Sequence, residues 1–330
     1  MSRAVVARAP TRLDFGGGWT DVPPYTEREG GAVCNVAITR YATATVATGG
    51  HVAVRSQPVN APDDRLIRAA LGRSGIPDVQ ASLEIDYPLG AGLGGSSAAG
   101  VALAGALSVL AGAPHDPYGL ATLSRATEVE EAGMPGGFQD HFAAAYGGAL
   151  LLTFGDTVDV RRIALTADTQ EELAHRGVLV YTGESRISGD TILAVRDSYL
   201  AGERRVVYAL AHMKSLAFDM AAALRSSDID ALGTLIGEHW AYQRALHPSI
   251  TTPRIDTIVE TAARAGALGS KALGASGGGC VLAIAAKGCE DELTRALTPL
   301  GRTLQYSIAT SGFEVLAVLE GQGPSEEDPR

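Results

Sequence analysis

The run Pro88-Leu89-Gly90-Ala91-Gly92-Leu93-Gly94-Gly95-Ser96-Ser97-Ala98 carries the strongest chemical signal in the sequence. A strand leads into it, its glycines let the backbone approach a ligand closely, and a helix begins at the serines. Free N–H groups at that helix start, with the positive end of the helix dipole, make a cradle for polyphosphate. The segment holds no lysine and no GxxxxGK(S/T) pattern occurs in the chain, so it is not a P-loop. Gly90, Gly92 and Gly95 satisfy GxGxxG, but a dinucleotide fold requires a second strand after the helix, ending in an acid that holds the ribose. Pro114-His115-Asp116-Pro117 and another helix follow instead, which counts against hydride chemistry. The plain structural alternative is a glycine-rich turn packed tightly on a sheet.

Three other segments hold candidate groups. Asp140 follows a Gly-Gly turn in Gly136-Gly137-Phe138-Gln139-Asp140-His141, at the start of a short helix, with Glu128 upstream. An acid so placed can meet a substrate or cap the helix, and Glu128 alone reads as a solvated helix residue like Glu130 and Glu131. In Ala9-Pro10-Thr11-Arg12-Leu13-Asp14-Phe15-Gly16-Gly17-Gly18-Trp19-Thr20-Asp21, Arg12 and Asp21 flank a glycine loop. They supply a cation and a hydroxyl acceptor around a tight cleft, or a salt bridge on a surface turn. Gly274-Ala275-Ser276-Gly277-Gly278-Gly279 precedes a strand and reads as a second close backbone approach or as a tight turn alone.

The chain that must position these groups has 330 residues, long enough for two domains, with 46 % hydrophobic and 19 % charged residues. That composition excludes a disordered chain, and 40 glycines without a three-residue period exclude collagen. A formal net charge of −10 argues against a nucleic-acid-binding surface. Lys214, Lys271 and Lys287 are the only lysines, so an anion site must use arginine, backbone N–H groups or metal. Cys34, Cys280 and Cys289 have no CxxC spacing and imply neither zinc nor disulfides. The first residues do not read as a signal peptide and no apolar stretch is long enough to cross a bilayer, so a cytoplasmic protein with no membrane partner is expected.

Patterning predicts strands at 4–7, 33–46, 51–54, 82–87, 149–154, 178–181, 280–285, 303–309 and 313–319. It predicts helices from Asp63-Asp64, from the phosphate cradle to about Ala111, and at 118–132, 139–146 and 290–297, with helices dominating the hundred or so residues after Tyr181. The stretch 167–175 reads as a polar connection. A boundary near residue 175 divides a lobe at 1–175 from one at 176–320, and the composition of 321–330 predicts a flexible tail.

In this order the four segments resemble the GHMP kinases (galactokinase, homoserine kinase, mevalonate kinase, phosphomevalonate kinase). Pro88–Ala98 is similar to their PxGxGLGSSA motif, with Gly95 in place of the first serine. Ala9–Asp21 aligns without gaps to the galactokinase pattern APGRVNLIGEHTD, with Gly18 and Trp19 replacing the Glu and His that contact galactose. Met134–Asp140 is similar to MPCGIMD, Glu128 falls at the acid preceding that stretch, and Gly274–Gly279 resembles GAGGGG with Ser276 in place of a glycine. Within the superfamily, FGGGWTD at 15–21, GGFQDHFAAAYGG at 136–148 and YTGESR at 181–186 resemble the D-glycero-D-manno-heptose 7-phosphate kinases.

The resemblance implies an α+β fold of two lobes, the N-terminal one like ribosomal protein S5 domain 2 and the C-terminal one ferredoxin-like, with ATP and a sugar between them. It implies that Pro88, Gly90, Gly92, Leu93, Gly94, Gly95, Ser96 and Ser97 bind ATP, that Ser96 and Glu128 hold Mg²⁺, and that Asp140 takes the proton of an anomeric hydroxyl. Arg12 would offset charge on the transferred phosphoryl group and hold the Asp140 carboxylate. Asp21 would hydrogen-bond sugar hydroxyls, with Gly17, Gly18, Thr20, Gly277 and Gly278 also at the sugar. A 7-phosphate needs a facing cation, and Arg186, beside Ser185 in a glycine turn, is the candidate, because a guanidinium fork pairs with phosphate bidentately. An exposed turn arginine paired with Glu184 is the alternative. The expected partner is a small sugar or sugar phosphate, and a homodimer is the base-rate assembly. The rival functions are a sugar-1-kinase for fucose, galactose or a uronic acid, a non-catalytic sugar or nucleotide sensor, and a dinucleotide oxidoreductase. A sensor has no need of Glu128, Asp140 and Arg12 together.

Overall fold

The computed structural model describes residues 3–49, 64–184 and 188–320. The chain runs β1 (Arg3–Gly16), α1 (Tyr25–Glu29), β2 (Gly31–Thr48), α2 (Asp64–Ser74), β3 (Val79–Ile85), α3 (Gly95–Leu110) and α4 (Pro117–Ala126). A π-helical turn (Thr127–Glu131) follows, then α5 (Gln139–Tyr146), β4 (Ala149–Phe154), β5 (Val158–Ile163), α6 (Ala167–Arg176) and β6 (Gly177–Tyr181). The remainder is α7 (Ser188–Leu200), α8 (Arg204–Arg225), α9 (Ile229–Leu246), α10 (Pro253–Arg264), β7 (Ala267–Ala272), β8 (Cys280–Ala285), α11 (Glu290–Leu297), β9 (Arg302–Thr303) and β10 (Glu314–Glu320).

One sheet has six strands in the order β10-β1-β2-β4-β5, with β3 also on β2. The length of β2 permits this: residues 31–36 pair with β4 and residues 42–48 with β3. The other sheet, β7-β8-β6-β9, is antiparallel as well. Small side chains let α3 lie close on β1 and β2, and almost all of its residues are buried there. A second core fills the space between β6, β8 and helices α8, α10 and α11.

A cut near residue 175 falls where the first sheet gives way to β6, but 176–320 does not fold as one lobe. β10 returns to the first sheet, with Leu319 opposite Ala4 and Val318 opposite Val5, and Ile308 bridges Ile38. The returning strand supplies β1 with the backbone partners its outer edge would otherwise lack. Strand 303–309 is reduced to Arg302–Thr303, and 167–175 is helical rather than a connection. Thr166 starts that helix, its Oγ1 accepting the Thr169 N–H at 3.1 Å. β5 and β7 were not expected. The predicted strand at 51–54 and the tail 321–330 lie outside the described residues. Among the described residues no helix is long and apolar enough to cross a membrane.

Candidate active site

The Pro88–Gly95 loop bends through Gly90, Gly92 and Gly94 at φ 67°, 73° and 71°, a left-handed conformation that side-chain-bearing residues rarely adopt. It is tied down on several sides. The Arg12 N–H donates to Leu93 O (3.0 Å), Arg12 Nη1 to Gly92 O (2.7 Å), and the Cys280 N–H to Ala91 O (2.8 Å). A Cβ on Gly92 would lie 2.6 Å from Leu273 O, so the two glycine clusters meet here. α3 then starts with no side-chain cap, leaving the N–H groups of its first turn for an anion. Gly95 has no room for the serine of the motif: a Cβ would lie 2.3 Å from Tyr87 Cε2, and the Tyr87 hydroxyl donates to Gly95 O at 2.7 Å.

Beside this loop, Arg12 Nε donates to Asp140 Oδ1 at 2.7 Å and Nη2 lies 2.7 Å from the same oxygen. Arg12 is 4 % exposed, while the Asp140 side chain is 26 % exposed and faces Gly94, where a Cβ would lie 3.1 Å from Oδ2. Asp140 therefore does not cap α5. Asp21 does so from across the fold, Oδ2 accepting the N–H groups of Phe138 (2.9 Å) and Gln139 (3.0 Å). Burial pushes the Asp21 carboxyl up to about 6, with those amides opposing the rise and Asp140 and Asp14 adding to it. Thr20 and Gly17, expected at the sugar, are used inside the fold. Thr20 Oγ1 donates to Gly17 O (2.7 Å) and accepts the Ala32 N–H (3.1 Å). The Gly17 N–H donates to His239 Nε2 (3.0 Å), an imidazole that burial and nearby Lys271 hold neutral.

The π-helical turn carries Glu128 into the same region. Ser97 Oγ donates to Glu128 Oε2 at 2.9 Å, and His141 Nε2 lies 3.0 Å from that oxygen. Burial alone would raise the Glu128 pKa, but hydrogen bonds from His141, Ser96 and Ser97 outweigh it and hold the carboxyl below its ordinary value. Glu128 is thus a buried carboxylate and not a solvated helix residue. No group of three or more His, Cys, Asp or Glu suited to a metal occurs among the described residues. Mg²⁺ does not need one, since it keeps waters and binds through one or two carboxylates plus phosphate oxygens. A lone buried carboxylate beside the Ser96 and Ser97 hydroxyls at a phosphate cradle fits that demand.

These groups line one cleft of about 510 Å³, a size suited to a small molecule. Gly18, Trp19 and Asp21 line it, as do Arg65 and the apolar Leu66, Ile85, Tyr87, Pro88 and Leu89. From the second glycine cluster Gly274 and Ala275 line it, whereas Gly277 and Gly278 do not. The Gly277 N–H donates to Ile250 O (2.8 Å), and a Cβ on Gly278 would lie 2.7 Å from Glu184 O, so both serve packing. Ser276 holds φ 65° with its Oγ accepting Gln243 Nε2 at 2.9 Å. A Cβ on Gly18 would lie 2.3 Å from Asp14 Oδ2, the oxygen that buried Lys271 Nζ reaches at 3.1 Å. Burial lowers the Lys271 pKa and Asp14 opposes the drop. Sequence reasoning missed this pair, and it missed His141, whose one signal is its place directly after Asp140. Arg186 lies outside the described residues.

The GHMP kinases N-terminal domain matches residues 64–148 and the GHMP kinases C-terminal domain matches residues 220–298. A D-glycero-alpha-D-manno-heptose 7-phosphate kinase of Campylobacter jejuni is 26 % identical over 300 residues, covering 84 % of this chain and 88 % of that protein. A galactokinase of Mycobacterium tuberculosis is 32 % identical over 260 residues, covering 68 % of this chain and 70 % of that protein. The fold matches the crystal structure of a D-glycero-D-manno-heptose 1-phosphate kinase from Bacteriodes thetaiotaomicron at TM-score 0.77 and 23 % identity, covering 98 % of this chain and 100 % of that one. Kinship of this degree, running through both domains in order, makes the chain a member of the GHMP kinase family and a phosphotransferase.

Proposed function

We propose that this sugar kinase transfers the γ-phosphoryl group of ATP to the anomeric hydroxyl of D-glycero-D-manno-heptose 7-phosphate, giving the 1,7-bisphosphate. The observation that carries the transfer chemistry is the Arg12–Asp140 pair beside Gly92 and Gly94 of the phosphate cradle. The β- and γ-phosphates of ATP lie against the first turn of α3, where uncapped N–H groups and the helix dipole meet their charge. Glu128 and Ser96 would hold Mg²⁺, which would supply neutralisation of the phosphate oxygens. Asp140 offers Oδ2 to the acceptor hydroxyl while Arg12 fixes Oδ1, so the proton leaves as the oxygen attacks phosphorus and the bond to ADP breaks. Asp21, tied at Oδ2 by two amides, keeps Oδ1 for a sugar hydroxyl. ATP as substrate accords with a cytoplasmic enzyme, and a homodimer remains the base-rate assembly.

The heptose assignment rests on the FGGGWTD, GGFQDHFAAAYGG and YTGESR resemblances and on the similarity to the Campylobacter jejuni protein. Its cation candidate for the 7-phosphate is Arg186. The 32 % identity to a galactokinase favours a second reading, an unphosphorylated hexose as acceptor. The test is ATP turnover across free and phosphorylated sugars, with the product position read by phosphorus NMR. Preference for the 7-phosphorylated heptose supports the first reading, and preference for a free hexose replaces it with the second. No turnover with any sugar overturns both.

A further inference from the structure

A hydroxyl, an imidazole and a carboxylate run in series behind the cleft. Ser124 Oγ lies 3.0 Å from His141 Nδ1, and His141 Nε2 lies 3.0 Å from Glu128 Oε2. All three residues are buried, Ser124 completely. Ser124 is no nucleophile here, because it sits under α3, where a Cβ on Gly100 would lie 2.6 Å from its Oγ. The series therefore orients rather than reacts.

Hydrogen-bond logic assigns its protons. A carboxylate only accepts, so His141 Nε2 must carry hydrogen toward Glu128. The other ring nitrogen, Nδ1, is braced by the Ser124 hydroxyl. Glu128 Oε2 receives both His141 and Ser97, so Oε1 carries neither of these contacts. The two pins differ in origin. Ser97 belongs to the first turn of α3 and moves with the phosphate cradle, whereas His141 is the neighbour of Asp140 on α5. Successive helix residues diverge by about 100°, so Asp140 turns to the cleft while His141 turns to the carboxylate behind it. One short helix thereby sets the spacing between the base and the carboxylate.

We propose that His141, braced at Nδ1 by Ser124, is a positioning residue that aims the Glu128 carboxylate at the cation of the nucleotide complex. This rests on the reading of Glu128 as the cation's ligand. The test uses the full chain with Mn²⁺ and a non-hydrolysable ATP analogue, counting bound Mn²⁺ by electron paramagnetic resonance, alongside the Mg²⁺ dependence of turnover. His141→Leu removes the donor and should weaken Mn²⁺ binding in the nucleotide complex about tenfold or more, the usual scale for a partner behind a metal ligand. His141→Gln can place an amide N–H where Nε2 stands and should stay within about threefold of wild type, while His141→Asn, too short to reach, should resemble the leucine variant. If His141→Leu does not fold, the Gln and Asn pair decides. Equal binding by Gln and Asn, or unchanged binding in folded His141→Leu, overturns the proposal. Glu128→Gln separates the premise: if it too leaves Mn²⁺ binding unchanged, the cation is held elsewhere and the reading of Glu128 fails first.

Discussion

Replacing Asp140 by asparagine isolates the proposed proton acceptance from the pairing of this residue with Arg12. Two guanidinium nitrogens of Arg12 converge on Oδ1, so that oxygen is committed and Oδ2 is the one left for an acceptor hydroxyl. Asparagine keeps the shape, and with its carbonyl turned to Arg12 it keeps both contacts. Its amide nitrogen then occupies the Oδ2 position, where it donates and takes up no proton. Loss of a positioned base costs about 10²–10⁴ in rate, or roughly 3–5 kcal/mol at the transition state. Weakening a charge-assisted pair costs only about 1–2 kcal/mol of stability, so the variant should remain folded. Asp140 faces the phosphate cradle at Gly94 without bonding to it through a charged group, and KM for ATP should stay within a few-fold. The assay is steady-state ADP release with the best sugar of the panel, run beside thermal unfolding. A folded variant with near-normal kcat would refute the assignment and leave Asp140 as a mere partner for Arg12.

Ser96→Ala and Glu128→Gln should each raise the Mg²⁺ concentration giving half-maximal rate, since each removes an oxygen ligand or a charge at the cradle; unchanged dependence in both moves the cation elsewhere. Asp21 has its pKa raised from 3.8 to about 6, so the folded state holds its proton more tightly and native stability falls as pH rises through that window. The loss amounts to about 3 kcal/mol by neutral pH, and Asp21→Asn should gain that much relative to wild type in urea unfolding between about pH 4 and pH 7; parallel curves would reject the raised value. Gly95→Ser should destabilise by about 1–3 kcal/mol because its Cβ meets the Tyr87 ring, and Tyr87→Leu in the same chain should recover part of the loss in chemical denaturation.

The phosphate loop is legible in the sequence because its demands are local: glycines where φ is positive, and small residues where a helix must start against a sheet. Its partners are legible only through the order of motifs, since Arg12 and Asp140 stand 128 positions apart. Asp21 illustrates the limit. Its amide partners lie 117 and 118 positions away, so nothing near it announces that it caps α5. Glu128 sits in a run of acids that reads as solvated, but the π-helical turn carries it inward, where it meets Ser97 and His141. Other misses had signals. Val158–Ile163 alternates as a strand should, and Thr166 is an ordinary helix start. The return of β10 had none, because a Val- and Leu-rich stretch declares a strand without saying which edge it joins.

Three departures from the GHMP patterns have identifiable neighbours in the fold. Gly95 lacks the motif's serine because the Tyr87 ring fills the space, and Ser276 keeps a glycine's backbone angle with its hydroxyl on Gln243. Gly18 is the informative case. The galactokinase pattern has a glutamate there, but here a side chain would run into Asp14 Oδ2, and that carboxylate cannot easily yield because it is the buried partner of Lys271. Removing Asp14 from Lys271 would leave a buried charge uncompensated, a cost of about 3–5 kcal/mol, which exceeds what one sugar hydrogen bond returns. With Gly18 and Trp19 in place of the pattern's Glu and His, this wall of the cleft is lined by Trp19, Asp21 and Gln139. The cleft thus keeps the cradle, the arginine-paired aspartate and the buried carboxylate, while its wall at Gly18 and Trp19 departs from the galactokinase pattern.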